Sequence, residues 1–263
     1  MGALKDLKQG LTDKLIRMRA RPRLCATPFD EFQVSIAQTV EDHREAFRLV
    51  QIAYAWLGIE SVDGPEMRMT PQHVLPESTI FIVRDNEGRL VGTMTVTLDS
   101  DAGLPLDHDY PEELKDRRGP KRRLVEYGSL AVVARCKHRG VTTLLTMAAN
   151  WFSLYHLRAT DVVMGVHPKA AALYRALFNF QPLAAARDHV ELEAPVQGMA
   201  QDLATLEDWF RPRYGCKSVD GMSLHSHFFE ELPPRPGEPG TLEAASRCLP
   251  PHLHRRLRPY GDP

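Results

Sequence analysis

The sequence predicts a mixed α/β domain whose sheet has an antiparallel front and a single parallel crossover. Two observations carry that prediction: residues 124–180 read as one strand–helix–strand–helix unit, and residues 78–98 read as two strands joined by a tight turn. In chain order, residues 32–37 suit a first strand and 40–57 an apolar-rich helix. Residues 78–83 and 89–98 meet at Asp85-Asn86-Glu87-Gly88, a strong hairpin signal. Thr93, Thr95 and Thr97 alternate with Met94, Val96 and Leu98, the pattern of a sheet with one wetter face. Residues 124–133 form an apolar, β-branched strand interrupted by Glu126 and Gly128. After a basic turn, Val141, Leu144, Leu145, Ala148, Trp151, Phe152 and Tyr155 recur at helical spacing. Residues 161–166 suit a strand buried on both faces, closed by His167-Pro168, and a last helix carries Ala172, Leu173, Ala176 and Leu177. Residues 180–193 and 195–203 supply the last strands.

Composition narrows the function classes. At 263 residues the chain can bury an ample core, and 33 basic against 34 acidic residues argue against nucleic acid as the main partner. Cysteines 25, 136, 216 and 248 show no metal-ligand spacing and no dense disulfide pattern, so a reduced cytoplasmic setting is expected and no metal. No run is long enough to span a membrane. Residues 1–29 differ from the rest: Leu4, Leu7, Leu11, Leu15 and Met18 recur at helical spacing among seven Lys or Arg. This basic amphipathic helix has two readings, a helix packed on the domain and a peripheral contact with a membrane surface or partner. Residues 30–210 hold the domain. Residues 211–263 form a C-terminal extension, and 8 of the 20 prolines fall in its last 33 residues.

The turn Arg135-Cys136-Lys137-His138-Arg139-Gly140 leads into a helix starting Val141-Thr142-Thr143. A helix N-terminus exposes unpaired N–H groups and a partial positive charge, which suits a phosphate. This unit resembles the GNAT acyltransferase superfamily, whose usual turn matches here at Lys137, Gly140 and Thr142, with Thr142 in place of a second glycine. The resemblance implies a GNAT fold with splayed central strands 4 and 5, between which a pantetheine arm runs. Its phosphate would lie on Arg135, Lys137, His138, Arg139, Gly140, Val141, Thr142 and Thr143.

Further pieces narrow the resemblance: Pro65-Glu66-Met67-Arg68-Met69-Thr70, Leu75-Pro76-Glu77-Ser78-Thr79, Val91-Gly92-Thr93, and Asp99 with Gly103-Leu104-Pro105-Leu106-Asp107 and Tyr110. Glu113-Leu114, Arg117, Glu126 before Leu130-Ala131-Val132, and His167-Pro168 before Leu173-Tyr174-Arg175 continue it. In order and spacing these resemble the bacterial N-acyl amino acid synthases, GNAT enzymes related to the acyl-homoserine-lactone synthases. The lactone synthases carry arginines where this chain has Ser129 and Met94 or Thr95, which points away from lactone synthesis.

The resemblance implies transfer of a fatty acyl chain from a carrier-protein thioester to the α-amino group of an amino acid, with no bound cofactor and the acyl-phosphopantetheine thioester, on acyl carrier protein or CoA, as co-substrate. Glu126 on an apolar strand is either a base whose pKa is raised by burial or half of an ion pair with Arg122 or Arg123. Leu130, Ala131 and Val132 would act through backbone N–H groups at the thioester oxygen. Tyr174 is either the proton donor to the departing thiolate or a core tyrosine. Arg68 either grips the substrate carboxylate or is a surface arginine. Arginines and lysines at 117–123 and 135–139 form the expected patch for an acidic carrier protein. Two alternatives remain: a CoA-dependent acetyltransferase of a small amine or protein, and a non-catalytic acyl-carrier or acyl-ligand binding module.

Overall fold

The computed structural model describes residues 2–25, 31–59, 64–189, 192, 194–215 and 225–230. Along the chain run α1 (Gly2–Cys25), β1 (Phe32–Ile36), α2 (Val40–Trp56), β2 (Ser78–Asp85), β3 (Leu90–Leu98), α3 (Pro111–Arg117), β4 (Leu124–Val132), α4 (Val141–Trp151), β5 (Asp161–Val166), α5 (Pro168–Phe178), β6 (Gln181–Pro182), β7 (Arg187–Asp188), β8 (Pro195–Asp202) and α6 (Leu206–Tyr214). The sheet order is β1-β2-β3-β4-β5-β8-β6, with β7 also on β8. Among the described residues, only β4 and β5 pair in parallel.

Local chemistry explains the front of the sheet. Asp85 Oδ1 accepts from the backbone N–H of Glu87 (3.1 Å) and Arg89 (3.0 Å), and Gly88 takes φ +78°, so the β2–β3 turn closes where the sequence places it. Thr39 and Asp42 form a capping box at the start of α2, and Arg84 of β2 donates to Asp42 (2.8 Å) and Glu45 (2.5 Å), tying that helix to the sheet. Side chains then sort by strand period. Phe81, Val83, Met94 and Val96 pack with α4, whereas Ile80 and Ile82 meet Ala46 and Phe47 of α2. The threonine face of β3 is buried within the fold. Thr93 donates to the Phe81 carbonyl (3.0 Å) and Thr97 shares a hydrogen bond with Ser78 (2.9 Å), while Thr95 and Thr97 line a cleft.

Two expectations change. The described residues of 180–193 give only the two-residue strands β6 and β7, because β8 occupies the edge of β5 and Pro182 brings no N–H to a ladder. The proline-rich region also begins inside an element: α6 runs through position 211, and Phe228 of the turn Ser226–Glu230 is buried on Phe210, with ring centroids 5.1 Å apart. The remainder of that extension, 216–224 and 231–263, lies outside the described residues. At the other end α1 packs on α5, where Arg175 donates to Asp13 (3.1 Å) and Arg17 to the Ala176 carbonyl (3.2 Å).

Where β4 and β5 begin, Asp161 is 0% exposed and accepts from Arg117 (2.7 Å), Arg122 (2.6 Å) and Thr160 Oγ1 (2.7 Å). A buried carboxylate is tolerable only with such partners. Replacing it leaves two arginines facing each other, though both reach solvent and are partly screened. Asp161→Leu is expected to lower unfolding free energy by ~1–3 kcal/mol in urea titrations, and Arg122→Ala by less, because Arg117 remains.

Candidate active site

The parallel ladder between β4 and β5 is short. It pairs Leu124 with Asp161, Val125 with Val162 and Glu126 with Val163, and then stops, although β4 continues to Val132 and β5 to Val166. The cause lies on the opposite edge of β4. Its register with β3 slips between Thr95↔Gly128 and Thr93↔Ala131, a bulge in which Ser129 takes φ +51°. An extra residue bends and twists the bulged strand, which carries β4 away from its parallel neighbour. Val133 N–H donates to Val91 of β3 (2.9 Å), so strand alternation turns the N–H groups of Val132 and Leu130 to the parted side and that of Ala131 back to β3.

The cleft so opened is lined by Glu126, Tyr127, Gly128 and Ser129 of β4, and by Gly165, Val166 and His167 at the end of β5. Tyr54, Arg68, His73, Leu106, His108, Asp109 and His189 complete its walls. Glu126 is 7% exposed. Its Oε2 accepts one hydrogen bond, from the backbone N–H of Leu106 at 2.8 Å. Arg122 points instead to Asp161 and Asp202, and no ion pair reaches Glu126 among the described residues. Burial pushes the Glu126 pKa up to about 8, against the Leu106 N–H, and Asp107, Asp109 and Asp99 add to the rise. Two of these aspartates hold their place through Arg118, which bridges Asp99 (2.6 Å) and Asp107 (2.6 Å) and fixes the segment that presents Leu106. Such a carboxyl can exchange a proton near neutral pH.

A second group has no counterpart in the sequence reading. His73 is buried in the turn Pro71–Val74 and stacked on Phe47, with centroids 5.7 Å apart. Its Nδ1 accepts from the Thr70 N–H (3.1 Å), which leaves the proton on Nε2, 3.3 Å from Ser129 Oγ. Burial first, and then the charge of Arg68, pull its pKa down to about 4, so the ring is neutral. His73 therefore pins the bulge. The only available signal was Thr70-Pro71-Gln72-His73, whose Thr and third-position partner mimic a capping box. Arg68 lies in the cleft wall, its guanidinium 5.6 Å from the Tyr54 ring centroid.

The basic turn closes onto the start of α4. Gly140 is the left-handed N-cap of α4 at φ +82°, Thr143 is buried and Thr142 exposed. Arg139 pairs with Glu31, Arg135 approaches Asp85 (3.5 Å), and Lys137 Nζ stands 3.7 Å above the exposed Trp56 ring. The arginines at 117–123 are elsewhere. They precede β4 and the turn follows it, so about eight residues of extended strand, roughly 26 Å, separate the two clusters. They do not form one patch, and Arg117, Arg118 and Arg122 are held by Asp161, Asp99, Asp107 and Asp202. Tyr174 is half-buried edge-on to Phe180, and burial, with Tyr54 nearby, raises its pKa to about 12. It does not line the cleft, whereas Tyr54 does.

A family model for the N-acyl amino acid synthase FeeM matches residues 45–202. The chain belongs to that family. It is an acyltransferase of GNAT fold. Among solved structures it is similar to FeeM, an N-acyl amino acid synthase from uncultured soil microbes, at 21% identity and TM-score 0.58, covering 67% of this chain and 94% of that one. It is also similar to a CoA-dependent acyl-homoserine lactone synthase, BjaI, with MTA, at 16% identity and TM-score 0.52, covering 74% and 97%. No curated protein matches.

The raised pKa of Glu126 makes the acyltransferase's stability depend on pH. Between the usual 4.5 and about 8 the folded state binds more protons than the unfolded one, so this contribution is complete below pH 4.5 and lost as pH rises through about 8. Urea midpoints should therefore fall more from pH 5 to pH 9 in the wild type than in Glu126→Gln.

Proposed function

We propose that the protein is an N-acyl amino acid synthase, joining a fatty acyl chain from a carrier-protein thioester to the α-amino group of an amino acid. The observation that carries this reading is the Glu126 carboxyl, buried without a cation at the last paired residue before β4 and β5 part. There it meets an acyl thioester laid between the strands. The amino nitrogen attacks the thioester carbonyl carbon. Glu126 takes a proton from that nitrogen, directly or through water, and the backbone N–H groups of the parted β4, Leu130 and Val132 foremost, receive the oxyanion. As the tetrahedral intermediate collapses, the carbon–sulfur bond breaks and the thiolate is protonated by solvent, since Tyr174 stands outside the lining of the cleft. An amino acid fits the remaining walls, because Arg68 can meet its carboxylate while Glu126 and Asp109 face its ammonium.

Glu126→Gln keeps shape but cannot accept the proton, so kcat should fall ~10²–10⁴-fold with little change in donor KM. The wild-type rate should rise with pH through an ionisation near 8 that the variant lacks. Wild-type turnover in the variant from pH 6 to 9 would remove Glu126 from the chemistry. Mass spectrometry of lipid extracts from expressing cells tests the products: new N-acyl amino acids support the reading, and acetylated amines alone overturn it.

For the donor we propose acyl carrier protein. The helix start at Gly140 offers backbone N–H groups to one phosphate, and the exposed Thr142 side chain stands where a glycine would let a pyrophosphate approach. Beside this turn Lys137 and His138 are exposed together with Ile52, Trp56 and Leu57 of the α2 end, an apolar surface with a basic border suited to an acidic helical carrier. Lys137→Glu should raise the carrier KM several-fold at low salt and less at moderate salt, while leaving the KM for a short acyl-pantetheine unchanged. Equal or better use of acyl-CoA, insensitive to salt and to that reversal, would refute the carrier.

A further inference from the structure

We infer that α1 is a peripheral membrane anchor that holds the domain on an anionic lipid surface by a face turned away from the protein. The helix docks by its less apolar side. Asp13 accepts from Arg175 (3.1 Å), Arg17 donates to the Ala176 carbonyl (3.2 Å) and stands 6.0 Å from the Trp209 ring, and Ile16 and Ala20 are half-buried. At 100° per residue, Asp13, Ile16, Arg17 and Ala20 centre about half a turn from Leu11, Leu15 and Met18, which share an arc of about 60°. Those three are 56%, 57% and 64% exposed. A helix docked only to shield its leucines would face the other way.

The border of the stripe names the occupant. Lys14 lies on one side of it and Lys8 and Arg19 on the other, all exposed. The one acid in positions 8–20 is Asp13, which is turned inward to Arg175. A narrow apolar stripe with cations along both edges is the form of a helix lying in a membrane interface: the leucines enter the acyl boundary while Lys and Arg stems reach to the lipid phosphates. Arg17 and Asp13 meanwhile keep the helix fastened to α5. No helix among the described residues is long and apolar enough to cross a membrane, so the contact is peripheral. This inference is independent of the acyl donor and acceptor.

Cosedimentation of the full chain with vesicles tests it. The protein should bind vesicles of phosphatidylcholine with phosphatidylglycerol, bind phosphatidylcholine alone at least ~10-fold more weakly, and lose affinity as salt rises. Leu11→Asp/Leu15→Asp/Met18→Asp and Lys8→Glu/Lys14→Glu/Arg19→Glu should each reduce binding at least ~10-fold, with melting temperature and turnover of a soluble short-chain donor unchanged. Failure of the wild type to bind either vesicle, or equal binding by both triple variants, overturns the proposal. Two other results also overturn it. If the leucine variant abolishes self-association of a wild type that ignores vesicles, the stripe is a dimer face. If vesicle binding appears only after removal of residues 231–263, that segment is the natural cover.

Discussion

The structure depends on how long two parallel strands are allowed to stay together. β4 and β5 share three residue pairs, and the ladder is secured at its start by Asp161, which draws Arg117, Arg122 and Thr160 onto one buried carboxylate. Beyond Glu126 the extra residue at Ser129 turns β4 aside. A sheet closed at one end and parted at the other leaves a slot with backbone N–H groups of β4 turned to one lip, and the buried carboxyl of Glu126 lines the cleft at the hinge of that slot. Much of the surrounding machinery maintains this geometry. His73 holds Ser129 from one side, and the Asp99–Arg118–Asp107 bridge holds the segment that hands Leu106 N–H to Glu126.

Charge in this protein is placed by burial more than by number. Arg118 satisfies two aspartates, yet these sit close enough to Glu126 to favour its neutral form further. A carboxyl shifted by desolvation and by like charges, and not drawn down by a guanidinium, is what proton transfer from an ammonium near neutral pH requires. The same principle empties the surface of much of its apparent basicity, since Arg117, Arg118, Arg122, Arg135 and Arg139 are all engaged by acids of this chain.

Much of the fold was legible because it rests on local chemistry. The Asp85–Gly88 turn, the helical spacing after Gly140 and the apolar run at 161–166 each report a period or a backbone demand that neighbouring residues alone impose. Residues 180–193 were not legible in the same way: their apolar content suits a strand, but whether they pair depends on an edge that β8 had taken. The short helices of four to seven residues that open on Pro71, Pro105 and Pro111 carry no apolar period, so only the proline marks them.

The candidate site divides along the same line. Glu126 stood out in the sequence because a carboxylate on an apolar strand contradicts its surroundings, and Gly140 because it closes a basic turn just before a helical apolar period. Sequence by itself therefore determined the strand–turn–helix unit, the lone acid and the glycine that closes the basic turn onto α4. Tertiary structure decided which partners each charge would find: Arg122 went to Asp161 and left Glu126 to Leu106, His73 came from 56 residues away to the bulge, and α1 set its leucines outward. The physical reason is range. Backbone preference and hydrophobic period act over a few residues, whereas desolvation and ion pairing are settled by whichever groups the closed fold brings within a few ångströms.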